Sequence, residues 1–126
     1  MIKTIGINKY GFIVDEENPK AMDELEIELA YLTQLRAWDN LKKGDLIIEV
    51  HDTCVSRNAG TPEQRFVPVT TVQVIQITRL NLKTYSYAHI EGHQTSGTGK
   101  LIKGYEFEEG MTGENGFRNT YRYFLA

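Results

Sequence analysis

Apolar and polar positions change rhythm several times along the chain, and each change marks an element. Met22, Leu25, Leu29, Leu32 and Leu35 recur at spacings of three and four, which draws one apolar helical stripe. Asn18-Pro19 stands just ahead of it, an N-cap followed by a residue pre-set for the first helical turn. Acids early in this segment and Arg36 near its end agree with the helix dipole, so the pattern predicts a helix over about 19–37. Before it, Ile2–Asn8 and Phe12-Ile13-Val14, separated by the turn Asn8-Lys9-Tyr10-Gly11, read as a hairpin.

After the helix the period becomes that of strands. Lys42-Lys43-Gly44-Asp45 leads into Leu46–His51, a mostly buried strand, and 53–64 reads as a polar loop. Phe66–Arg79 predicts one long or bent strand, with Pro68 near an edge or bulge. Leu80–His89 fits either period, because Leu82, Tyr85 and His89 suit a helix while Tyr85 and Tyr87 suit alternation. Gly92–Gly99 reads as loop, Leu101–Phe107 and Asn119–Leu125 as strands, and Gly110–Gly116 as a turn region between them. No repeat or interior linker divides the 126 residues, so the expectation is one α+β domain over 1–126, mostly strands with a prominent N-terminal helix.

Charge alters this picture in one place. Residues 15–28 hold seven acids and only Lys20, while the rest of the chain carries thirteen bases and ten acids. The helix thus offers an acidic face, a candidate surface for a protein partner, on a mildly basic body. No stretch reaches the roughly 18 apolar residues of a membrane span. The single cysteine, Cys54, excludes an internal disulfide framework and fits a reducing compartment, with the cytoplasm as the expected location.

Several constellations bear on chemistry. Ser96-Gly97-Thr98-Gly99-Lys100 imitates the end of a phosphate-cradling loop. Such a loop needs a glycine where Gln94 stands and a magnesium-binding hydroxyl where Leu101 stands, so the likeness is a decoy. His51 with Cys54 and His89 with His93 have the spacing of zinc-ligand pairs, but Gly92 would weaken a helix carrying the second pair. No metal or cofactor is assigned. Cys54 as a nucleophile beside His51, His89 or His93 is disfavoured by Asp52, which opposes a thiolate. Glu106, Glu108 and Glu109 read as a solvated edge. Tyr85, Tyr87, Tyr105, Tyr121 and Tyr123, with Lys83, Arg118 and Arg122, would suit base stacking and phosphate contact if they shared a face. Alternation in the last strand turns Arg122 away from Tyr121 and Tyr123, and the aromatics equally suit the core of a small barrel.

The order of three short motifs resembles the ASCH domain, a branch of the PUA-like β-barrels. They are Leu41-Lys42-Lys43-Gly44-Asp45-Leu46-Ile47-Ile48 after Trp38, then Val69-Thr70-Thr71-Val72-Gln73-Val74-Ile75, then Tyr87-Ala88-His89-Ile90-Glu91-Gly92. The likeness spans about residues 38–95. It implies a small, mostly antiparallel barrel, a helix closed by the Glu-Gly motif, and a cleft at the barrel mouth for RNA or a nucleotide or modified nucleoside. In that cleft it implies ligand contacts from Lys42, Lys43, Thr71, Tyr85, Tyr87, Glu91 and Arg122. Some members resemble ribonucleases or amidohydrolases, which here implies Glu91 as base and Lys43 or Lys42 holding the scissile group. The early Gly-x-Lys motif of those enzymes has no match in residues 1–40, so a binding module is the leading expectation and a small hydrolase the alternative.

Overall fold

The computed structural model describes residues 11–92, 96–107, 111–112 and 118–126. Strands dominate and run antiparallel, with one helix, which is the expected α+β composition. The elements are β1 (Phe12–Val14), α1 (Pro19–Leu29), β2 (Thr33–Gln34), β3 (Leu46–Arg57), β4 (Arg65–Leu80), β5 (Thr84–Gly92), β6 (Thr98–Ile102), β7 (Met111–Thr112) and β8 (Arg118–Leu125). They form one sheet in the order β2-β8-β3-β4-β5-β6, with β1 beside β4 and β7 beside β8. The first half of the predicted N-terminal hairpin lies outside the described residues; its second half, β1, pairs with β4 through Ile13↔Thr70.

The helix begins where its signals stand. Asn18 accepts a hydrogen bond from the Ala21 amide at 3.2 Å, and Pro19 opens the first turn. It ends at Leu29, eight residues before the predicted 37, with no base in its last turn. Tertiary pairing overrides the periodicity: Thr33 and Gln34 add to the sheet opposite Leu125 and Phe124. Leu32 packs with Leu25 and Leu29, whereas Leu35 packs on the opposite side of the sheet, so the chain rounds the sheet edge between them.

Two further expectations change. The predicted loop 53–64 is strand as far as Arg57, because Thr53–Arg57 continues the β3–β4 ladder down to Arg57↔Arg65. Leu80–His89 holds no helix: Leu80 ends β4, residues 81–83 turn the chain, and β5 runs from Thr84, with Glu91-Gly92 ending it instead of closing a helix. Pro68 sits within β4 without costing a ladder bond to β3. Its carbonyl accepts from Asp15 on the β1 side, the same side to which its missing N–H would have pointed. From Thr98 on, the phosphate-loop decoy is edge strand: Thr98–Ile102 pairs with β5, and the Tyr87 ring lies so close over Gly99 that any Cβ there would meet its hydroxyl.

The sheet buries apolar residues on both faces. On one, Ile13, Ile48, Val50, Val72, Val74 and Phe124 receive Ala21, Leu25 and Leu29 of the helix. On the other, Trp38, Leu41, Ile47, Ile75, Ile77 and Tyr85 form a second core. This second core is covered by a strap, residues 35–38. The Leu35 amide donates to Tyr123 of β8, while the segment after β6 bonds the strap from its other side, Phe107 N to Arg36 O and Trp38 N to Tyr105 O. No ladder among the described residues joins β2 to β6, so the sheet is open, but the strap draws its two ends together.

Candidate functional site

Register places the polar residues of the strap face in rows. Across β4, β3 and β8, Ile75–Ile47–Leu125 is followed by Gln73–Glu49–Tyr123 and then by Thr71–His51–Tyr121. The apolar floor thus gives way, within two residues of each strand, to carboxylate, amide, imidazole and phenol. His89 joins from β5 opposite Ile75, and Tyr87 opposite Ile77. Trp38, Phe107 and Tyr123 close the floor with ring centroids 4.5–4.8 Å apart.

Glu49 is the centre of this arrangement. Its Oε1 accepts from Gln73 Nε2 at 2.7 Å, and the Tyr123 hydroxyl also hydrogen-bonds its carboxylate. Burial pushes the Glu49 carboxyl above the ordinary range, an effect opposed by the Gln73 bond, by the charges of His51 and His89, and by Tyr123. Burial likewise pushes the Tyr123 phenol well up, aided by the neighbouring Glu49 charge, so Tyr123 stays a donor. His51 hydrogen-bonds the Asn119 side chain and stacks on Tyr121 with centroids 4.1 Å apart and planes 4° from parallel. Tyr87 meets His89 edge-on at 5.4 Å, and His89 Nδ1 is buried with no hydrogen-bond partner among the described residues. Tyr121 is 45% exposed, which leaves one end of the cluster open to solvent. A carboxyl displaced by burial and ringed by aromatic and amide groups is the chemistry of a binding or acid–base site.

The residues expected from sequence divide around this centre. Thr71 and Tyr87 belong to it, and Tyr85 lies beneath it in the second core, with Lys103 Nζ 5.1 Å from its ring centroid. The rest are elsewhere. Glu91 pairs with Val74 on the helix face, because Ile90 is an extra residue that shifts the β4–β5 register between His89 and Glu91. Lys42 and Lys43 are exposed in the turn before β3, where Asp45 Oδ2 accepts from the Lys42 amide at 2.7 Å and Gly44, at a positive φ of 93°, donates to Ile77. Glu91 and Lys43, the pair a hydrolase reading needs, therefore flank opposite sides of β4, three residues apart along it.

Arg122 also faces the helix. Its guanidinium grips Glu26 through two bonds of 2.7 and 3.0 Å and lies 3.4 Å from Asp52, and the Glu26 hydrogen bond above all raises its pKa. Part of the acidic run is likewise engaged within the chain: Glu16 pairs with Arg65 at 2.9 Å, Glu17 with Arg57 at 3.8 Å, and Asp15 accepts from Thr70. His51 and Cys54, three apart in β3, fall on opposite faces. His93, Glu108 and Glu109 lie outside the described residues. Among the described residues, no group of three His, Cys, Asp or Glu side chains is placed to hold a metal ion, and no helix is long and apolar enough to cross a membrane.

Sequence reading missed Glu49 and Gln73. The available signal was a polar residue on the buried side of each central strand, Glu49 between Ile47 and His51 and Gln73 between Thr71 and Ile75. No family model, curated protein or solved structure matches the chain, so the functional reading rests on the chemistry of this site.

Proposed function

We propose that the protein is a binding module for a nucleobase-bearing ligand (RNA, a nucleotide or a modified nucleoside) taken at the polar end of the strap face. The observation that carries the reading is the row Gln73–Glu49–Tyr123 lying beside the stacked His51–Tyr121 pair. Base recognition needs a flat surface for stacking and directional donors and acceptors at the ring edge. Tyr121 supports the first requirement, being held in a stack with His51 while 45% exposed. Glu49 and Gln73 support the second, since their mutual bond fixes both side chains against the floor. The ligand set becomes Glu49, Gln73, Thr71, His51, His89, Tyr87 and Tyr121. The PUA-like barrel belongs to the same proposal: strapped sheet ends, a filled floor and a polar mouth are what such a barrel would present.

The test is a thermal-shift panel of nucleosides, nucleotides and short RNA, followed by calorimetry on any that raise the melting temperature. Ligand at 100 times its Kd should stabilise the fold by about 2.7 kcal/mol. Tyr121→Ala should weaken binding by roughly 5- to 100-fold, the range for losing one base-stacking ring. A panel in which no nucleoside, nucleotide or RNA binds would overturn the proposal.

A further inference from the structure

Resting on that reading, we infer that the base taken here is guanine-like, one that presents two adjacent N–H donors to the Glu49 carboxylate. The inference comes from what Glu49 is given and what it still lacks. Its hydrogen-bonding neighbours among the described residues, Gln73 and Tyr123, are neutral donors. An ionised carboxylate has about four lone-pair sites, more than these two donors fill. The site is half-buried, so water is a poor substitute for the missing donors. A ligand edge that fits must therefore bring donors, and preferably two in parallel.

The common bases differ sharply in this respect. Guanine carries N1–H beside its N2 amino group, so two donors meet one carboxylate. Adenine and cytosine set an amino donor beside a ring-nitrogen acceptor, which would face a carboxylate lone pair. Uracil offers one N–H between two carbonyl oxygens. His89 lies on the same face, opposite Ile75, where its imidazole suits the guanine O6 carbonyl as a donor in one of its two tautomers. The parallel His51–Tyr121 stack suits a broad planar ring better than a compact ammonium ion.

The test is titration calorimetry of the whole chain with guanosine, inosine, N1-methylguanosine, adenosine, cytidine, uridine and argininamide, the last being a planar cation with paired donors but no base. Guanosine should bind at least about tenfold more tightly than adenosine, as expected for a charge-assisted bond gained. Inosine, lacking the N2 amine, should fall between them, and N1-methylguanosine should lose the preference. Glu49→Gln, checked for a cooperative melt no lower than the parent's, should weaken guanosine by about tenfold and adenosine by less than about threefold. Equal or tighter binding of adenosine, cytidine or uridine overturns the inference while leaving base binding intact, as does a guanosine preference that survives Glu49→Gln. Argininamide binding more tightly than every nucleoside overturns it in favour of a guanidinium ligand. Failure of every nucleoside to bind overturns this inference and leaves the base-binding reading to the nucleotide and RNA arms of the thermal-shift panel. The ligand series needs no variant, so a misfolded Glu49→Gln would not shield the proposal.

Discussion

The two faces of the sheet treat buried polar groups in opposite ways. Under the helix, charge meets charge: Arg122 is held by Glu26 and approaches Asp52, and Thr70 bonds both Asp52 at 2.9 Å and Asp15 at 3.0 Å. On the strap face the hydrogen-bond donors to Glu49 among the described residues are neutral, and burial raises its pKa. Opposite charges brought together fasten α1 to the sheet. A carboxylate hydrogen-bonded by neutral donors at the open end of an apolar floor is instead poised for something that arrives from solution. The difference separates a structural network from a candidate site on a sheet that carries an apolar core on each face.

The largest expected effect tests whether the strap holds that floor. Trp38 is 7% exposed and packs on both Phe107 and Tyr123. Trp38→Ala should cost about 3–5 kcal/mol of unfolding free energy, the usual range for emptying an aromatic core position. Denaturant titration followed by circular dichroism measures it, since the variant removes the chain's one tryptophan as a fluorescence probe. A cost below about 1 kcal/mol would mean that the strap is peripheral and that the two faces are not comparably built.

A smaller effect belongs to the helix face. Arg122→Ala leaves Asp52, 8% exposed, beside an unpaired Glu26. The pair is partly solvated, so the expected cost is about 1–3 kcal/mol, below that of a fully buried pair. Arg122→Lys should recover part of it, keeping the charge but losing the two-pronged grip. Ligand affinity should stay within about twofold of the parent protein in both variants, because the guanidinium lies on the face away from Glu49. Loss of binding with retained stability would move the ligand to the helix face.

How much of this division the sequence displays depends on the range of the interaction that creates it. The helix start is local chemistry in Asn18 and Pro19 and reads directly. Its end is not local: Leu32 and Leu35 keep helical spacing, yet the β2 pairing with β8 sends them to opposite faces. Thr53–Arg57 reads as loop because its polar residues extend beyond the core, although the β3–β4 ladder carries them on as strand. The site suffers from the same distance. Strict alternation sets Tyr87, His89 and Glu91 on one face, and only the bulge at Ile90 turns Glu91 to the other. Glu49 and Gln73 each look like a single polar interruption of an apolar run. They become a pair only once the register sets them opposite one another.

The smallest effect is the most discriminating, because it asks in which protonation state the fold prefers Glu49. Burial raises its folded-state pKa above the unfolded one. Such a carboxyl contributes stability that is fully present below the ordinary carboxyl range and lost as pH rises through the folded pKa. At neutral pH, ionised Glu49 is therefore a cost to the fold, tolerated at a place where a ligand's donors could repay it. Glu49→Gln removes the ionisation while retaining an amide of the same shape beside Gln73. Its melting temperature should equal or exceed the parent's at pH 7, by no more than about 3 °C or 1 kcal/mol, and the advantage should disappear near pH 4. Melting curves of both proteins across that range measure the slope. A variant less stable than the parent at pH 7 but not at pH 4 would show that ionised Glu49 holds the fold together, as Asp52 and Glu26 do around Arg122, and the contrast between the faces would be lost.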